Sequence, residues 1–449
     1  MSSALPMSNP GLAHRPVCKY GRECYQKNPM HHEKFQHPTS QEQQKENQAM
    51  AANKRATPPP DDSAGEASQP TMDQSSPLKK SKMDDDGHEA TQDAKDQADV
   101  NLISANTPLN PVADPDDPPE LPASPMDMKA NLKQKFLMDY PPDFYCFWQF
   151  CQERNRDHPE LALVDTCGLR LTGPFDVLAG AWTGTARRPS ADYLAHARYF
   201  YDPPEFQTVL ASADERQLFH IGYFRDDPAA LPDFVASNDP AQDCRLNVMG
   251  DNLFAAVYRY VMDVMRDAEP FRQTALEKLK AALHVYTTMK IQDHDFSLDL
   301  RTPKIKSRER RKVATTFQGV GLVVPYNKET QVGYREIPET TASLKRIFKN
   351  INEASTEEKR AQAMDVLQEL MTNVQFANDE GDPGMSVELG LNAFATGGPH
   401  LHGSIEHLLG VGYELMDRPE YAQVIRAHLK RRNDGGLTCS RFIIGKYKC

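Results

Sequence analysis

Cys18, Cys24, His31 and His37 fall within twenty residues and have the types to hold one tetrahedral metal ion. A segment this short cannot bury enough apolar surface to offset its ordering entropy, so zinc ligation is the expected source of its folding energy. The spacing excludes the finger that reads base pairs, which has two to four residues between its cysteines and about twelve before its first histidine. Far along the chain, Asn373-Val-Gln-Phe376-Ala-Asn378-Asp379-Glu380-Gly381-Asp382-Pro383-Gly384 places two adjacent carboxylates at a helix end or on an exposed turn. A helix C-terminus disfavours anions by a few tenths to about 1 kcal/mol, so acids there either serve a purpose or form a solvated acidic turn.

The elements that must position these groups can be read from composition and periodicity. Of 449 residues, 39% are hydrophobic and 26% charged, with 34 prolines and a formal net charge of −11. That balance argues against a protein that coats nucleic acid generally, and basic histone tails would suit it. Residues 39–125 are Gln, Ser, Asp, Pro and Ala with few aromatics, the composition of a disordered linker. Within it, Pro77-Leu-Lys79-Lys80-Ser-Lys82 reads as a nuclear import signal or a solvated charge run. No apolar run approaches the ~20 residues that span a bilayer, and the scattered cysteines suggest free thiols in a reducing, intracellular setting. A second basic run, Lys304 to Lys312, reads as an exposed loop or helix face.

A folded body is expected over 126–432, with a tail at 433–449. Pro141 to Cys151 reads as an aromatic-rich helix capped by Asp143. Leu169–Leu171, Arg198–Tyr201, Phe206–Leu210, Leu218–Phe224 and Gly319–Pro325 read as strands. Leu276, Leu279, Leu283 and Tyr286 share a helical face, as do Val366, Leu367, Leu370, Met371 and Val374, and Ile405, Leu408, Leu409 and Tyr413. The expected class is α+β, with a mixed sheet in the N-terminal half of the body, a mainly helical C-terminal half and a small separate zinc finger at 15–38.

The N-terminal pattern resembles the poly(ADP-ribose)-binding zinc finger through Arg15, Cys18, Tyr20, Gly21, Cys24, Tyr25, His31, Phe35 and His37. The resemblance implies that Tyr20 and Tyr25 contact the adenine-containing unit, and an aromatic face can stack on a purine. Packing around the metal is their bland alternative. Arg15 and Lys27 would meet phosphate or base. Gln26 stands where that family usually has a basic residue, and Lys27 is its neighbour.

Several further blocks run in order along the body. They are Tyr140-Pro-Pro-Asp-Phe144, Leu171-Thr-Gly-Pro-Phe-Asp176, Tyr201-Asp-Pro-Pro-Glu-Phe-Gln207, Gly222-Tyr-Phe-Arg225-Asp226, Gly250-Asp-Asn252, Val332-Gly-Tyr-Arg335-Glu336 and Phe376-Ala-Asn-Asp-Glu380, with Gly384-Met385 and Glu388-Leu-Gly390 after it. Together they resemble the histone PARylation factor family. The resemblance implies an accessory factor, without autonomous activity, that docks on the catalytic domain of a DNA-break-activated poly(ADP-ribose) polymerase. The polymerase would bind NAD, and the accessory factor would direct ADP-ribose onto serines of histones in the nucleus. Glu380 matches the family's general base, Asp379 a neighbouring acid that contributes to docking, and Arg335 an arginine that would hold the carboxylates and the substrate backbone. His400 and His402 receive no role. Two other readings compete: a poly(ADP-ribose) reader and adaptor, and an independent ADP-ribosyl glycohydrolase using Asp379 and Glu380.

Overall fold

The computed structural model describes residues 121–182, 189–290 and 294–434. The finger at 15–38, nearly all of the linker at 39–125 and the tail beyond 434 lie outside the described residues. The body opens with two helices, α1 (Met128–Phe136) and α2 (Pro142–Arg154). Asp127 caps α1 by accepting from the Ala130 N–H at 2.8 Å. Three short helices follow, α3 (Val164–Cys167), α4 (Pro174–Leu178) and α5 (Ser190–Leu194), interleaved with the first strand.

Five strands, β1 (Leu169–Leu171), β2 (Phe206–Ser212), β3 (His220–Phe224), β4 (Phe234–Asn238) and β5 (Asn247–Gly250), form an antiparallel meander in sequence order. Successive side chains point to opposite faces of a strand, and here both faces are buried. Ile221, Tyr223 and Val235 join Phe144, Phe147 and Phe254 on one side. Phe206, Phe224, Phe234 and Ala236 pack on Ile305 and Val320 on the other. The first core is completed by α6 (Leu253–Met265) and α7 (Pro270–Val285), whose Leu276, Leu279 and Leu283 face inward as their spacing requires.

The remaining chain is helical: α8 (Pro303–Glu309), α9 (Thr341–Asn352), α10 (Glu357–Asp379), α11 (Gly384–Thr396), α12 (His402–Leu415) and α13 (Pro419–Asp434). A second core centred on Leu367, Leu370, Val387, Phe394, Leu408 and Leu409 holds α9 to α13 together. Sheet and helices are tied by buried polar contacts: Tyr413 donates to Glu205 and Tyr421 to the Arg225 carbonyl, each at 2.7 Å. Arg308 in α8 is buried against the stacked rings of Phe224 and Phe234 and donates to Asp226 and to the carbonyls of Val320 and Gly321. The expected class, an α+β body with its sheet in the N-terminal half and helices after it, is what the fold displays.

Three local expectations are corrected. Arg198–Tyr201 is a turn rather than a strand: Ala197 has φ 52°, Asp202 accepts from the Tyr199 N–H at 3.0 Å, and Arg198 is buried against backbone carbonyls. Gly319–Pro325 is buried from Val320 to Val324 but pairs only through an isolated bridge, Ala314 to Leu322, because Gly319 and Gly321 sit at φ 85° and 72° and break the extended run. Asp143 is not the cap of α2, since Pro141 holds that position. Its carboxylate instead accepts from Tyr223 Oη at 2.7 Å and from the Leu253 N–H at 2.8 Å, linking α2 to β3 and to the start of α6. Burial, only partly offset by those two bonds, pushes its pKa up to about 6. Strands β4 and β5 carry no sequence expectation; β4 is fully buried and short, which hides its alternation.

Candidate functional site

The site forms at the corner where α10 ends and α11 begins. Leu367, Leu370, Val374 and Ala377 bury one stripe of α10, which fixes the direction in which its last turn emerges. Asp379 is the final helical residue and Glu380 the C-cap, as the sequence spacing suggests. No basic side chain occupies the last turn, so the negative end of the helix dipole is not neutralised from within the helix. Gly381 at φ 87° turns the chain, Pro383 and Gly384 start α11, and Asp382 is buried inside the corner.

The missing positive charge comes from the segment 332–336. Arg335 Nη2 donates to Glu380 Oε2 and, at 2.9 Å, to Asp382 Oδ2. One guanidinium nitrogen thus bridges two carboxylates placed two residues apart. Half-burial works against the Arg335 charge, but Glu380 and Asp382 together outweigh it and raise its pKa. The ribbon that carries Arg335 is stapled to the corner by backbone bonds: Gly333 N–H donates to Asp382 Oδ1 at 2.9 Å, and Gly384 N–H donates to the Gly333 carbonyl at 3.0 Å. Gly333 must be glycine, since its φ is 113° and a Cβ would lie 2.0 Å from the Pro325 carbonyl oxygen.

The predicted site residues do not all converge. Arg335 and Glu380 meet, with the Glu380 side chain 16% exposed and so reachable from solvent. Asp379 is exposed, and its carboxylate accepts from Gln375 at 3.1 Å. Phe376 is exposed one turn earlier on the same helix. His400 is exposed, whereas His402 is buried at the first position of α12. Arg15, Cys18, Tyr20, Tyr25, Lys27, Cys24, His31 and His37 lie outside the described residues. Among the described residues, Cys146, Cys151, Cys167 and Cys244 are free thiols, and no helix is long and apolar enough to cross a membrane.

Chemically, the corner offers a carboxylate that is fixed in direction, accessible at the surface and paired to an arginine without being buried. Residues 127–432 match the family model of Histone PARylation factor 1, and residues 15–40 match that of the PBZ domain. The chain is 41% identical to Histone PARylation factor 1 of Bos taurus over 309 residues, which is 69% of this chain and 88% of the relative. It is 39% identical to the Mus musculus protein of the same name over 311 residues, again 69% and 88% of the two chains. The Danio rerio protein of that name is 39% identical over 312 residues, 69% of this chain and 87% of the relative. This chain belongs to the histone PARylation factor family. A histone PARylation factor is an accessory protein by name, and nothing in these matches indicates an enzyme family. In this member of the histone PARylation factor family the PBZ match points to zinc as the cofactor of the N-terminal segment.

Sequence reasoning quoted two further residues of the histone PARylation factor corner without giving them a role. Asp382 received no role, although it supplies the second carboxylate of the Arg335 bridge and holds Gly333. Its signal was available: an acid two residues from Glu380 across a Gly that can reverse the chain. Glu388 is nearly buried on α11 and accepts from Tyr334 Oη at 2.8 Å. Nothing in its spacing marks it, because its partner is 54 residues away.

Proposed function

We propose that this protein completes the active site of a poly(ADP-ribose) polymerase, with Glu380 as the general base that directs ADP-ribose onto serines of histones. A serine hydroxyl is almost fully protonated at neutral pH, so its attack needs a positioned proton acceptor. In the proposed step the hydroxyl oxygen bonds to the nicotinamide-bearing carbon of the ribose in NAD held by the polymerase. The bond from that carbon to nicotinamide breaks, and the hydroxyl proton passes to Glu380. The observation that carries this reading is the Arg335 bridge, which orients the Glu380 carboxylate and leaves it accessible at a helix end.

Asp379 and Phe376, exposed together on the last turns of α10, suit docking to the polymerase beside that carboxylate. The N-terminal finger, with zinc held by Cys18, Cys24, His31 and His37, would bind poly(ADP-ribose) through Tyr20, Tyr25, Arg15 and Lys27. Joined by the linker, it would raise the local concentration of the body where polymer is being made, on nuclear chromatin at sites of DNA damage.

The test is histone modification by the polymerase with wild-type, Glu380→Gln and Cys24→Ala protein, scoring serine linkage apart from docking. Glu380→Gln should abolish serine-linked product with docking retained, and Cys24→Ala should weaken only polymer binding and recruitment. Serine modification that survives Glu380→Gln would remove the general-base role. Release of ADP-ribose by the purified protein alone would instead favour a glycohydrolase.

A further inference from the structure

Arg335 reaches Glu380 from a three-residue ribbon, and the ribbon has an anchor that the proposed chemistry does not use. Tyr334, the residue before Arg335, lays its ring over Gly384, where a Cβ would come within 3.1 Å of it. Its hydroxyl donates at 2.8 Å to Glu388 Oε2, one turn into α11. The ring also meets Tyr326 edge-on at 6.4 Å. Glu388 is 9% exposed, in a helix that is otherwise almost wholly buried and apolar in this stretch. A carboxylate in such a place costs free energy unless something requires it, and the bond it receives fixes the residue adjacent to the arginine.

We propose that Glu388 is a positioning residue: by accepting from Tyr334 it sets the 333–335 ribbon, and through it the orientation of the Arg335 guanidinium on Glu380. This rests on Glu380 acting as the base. The groups that act on Glu388 are Tyr334 and Glu336, both from the ribbon side. Burial pushes its pKa up to about 7, with the Tyr334 bond opposing that shift and Glu336 adding to it. Below that value Glu388 is neutral and its bond with Tyr334 is an ordinary one. Above it the carboxylate accepts a charge-assisted bond, roughly twice as strong. The Tyr334–Glu388 bond is therefore stronger at pH 8 than at pH 6, by more than the repulsion from Glu336 takes back.

The experiment measures kcat for serine-linked histone modification at pH 6 and pH 8, using the complete chain with the polymerase, for wild type, Tyr334→Phe, Glu388→Gln and the double variant. Docking to the polymerase and Tm are followed in parallel. Glu388→Gln keeps the acceptor and loses only the charge, so it should match wild type at pH 6 and fall about threefold to tenfold below it at pH 8. Tyr334→Phe should show a similar deficit at pH 8, and the double variant should be no worse than the poorer single one. The proposal is overturned if both single variants follow wild type at both pH values, if their losses multiply, or if docking falls by the same factor as kcat. Glu380→Gln, run alongside, separates the two readings. Activity retained there removes the base, whereas an inactive Glu380→Gln beside an unaffected Glu388→Gln removes the positioning role alone.

Discussion

Replacing Arg335 with alanine tests the physical account of the corner directly. In the wild type one nitrogen serves both Glu380 and Asp382. Two carboxylate oxygens that share one nitrogen sit roughly 5 Å apart or closer, where like charges repel by about 3 kcal/mol at an effective dielectric of about 20. The Glu380 side chain and Arg335 are partly exposed, so solvent screens part of that term. Asp382 is buried and would lose a charge-assisted partner, a change of about 1.5–3 kcal/mol, while keeping its bond from Gly333. The sum after screening is a destabilisation of about 2–3 kcal/mol, or about 3–5 °C in Tm for a body of this size. The carboxylates would relieve their repulsion by separating, and a displaced Glu380 is a slower general base. Serine transfer should therefore fall by at least tenfold, a loss of about 1.4 kcal/mol in transition-state stabilisation. Asp382→Asn in the same background should restore a good part of the lost Tm, because it removes one of the two charges. Arg335→Lys should be intermediate, since the ammonium keeps the charge but sits on a freely rotating, strongly hydrated end that fixes the direction of the two carboxylates less well than the rigid guanidinium. Thermal unfolding and the transfer assay report these quantities separately. An Arg335→Ala protein with wild-type Tm and wild-type transfer would refute the reasoning.

Three other perturbations probe the frame that carries the corner. Asp226→Asn leaves Arg308 buried without its counter-charge and should cost about 3–5 kcal/mol, seen as a lower urea midpoint. Asp143 has a native pKa near 6 against an ordinary 3.8, so its own contribution to native stability is full below about pH 4 and is lost as the pH rises through 6. The decline amounts to at most about 3 kcal/mol, and Asp143→Asn should abolish it; urea unfolding at pH 4 and pH 7 measures both. Gly333→Ala should shift the Arg335 ribbon and lower serine transfer, at a stability cost of about 2–4 kcal/mol, and an unaltered Tm would contradict the reported approach to Pro325.

Elements whose signal is local and periodic were legible from the chain. The stripe of α7 and the buried face of α12 followed from apolar residues three and four positions apart. The same reasoning placed Val366 on the inner face of α10, where it is in fact exposed, because the apolar stripe is wider than the contact it makes. Arg198–Tyr201 and Gly319–Pro325 have strand-like composition, but a buried arginine in one and left-handed glycines in the other divert the backbone. Composition does not register either effect.

The sequence by itself carried the PBZ-type spacing, the family and the position of Glu380 at a helix end, because each is written in short local runs of residues. It also located Arg335 as a residue of interest, through likeness to a known pattern rather than through geometry. Only the tertiary structure decided that Arg335 bridges Glu380 and Asp382 while Asp379 faces solvent. Only it revealed that Tyr334 is anchored on Glu388. Those contacts join residues 45 to 54 positions apart, across a turn set by Gly381 and a ribbon that passes over Gly384. Which carboxylate an arginine reaches depends on the direction in which each side chain leaves the helix end, and packing of the helical core fixes that direction.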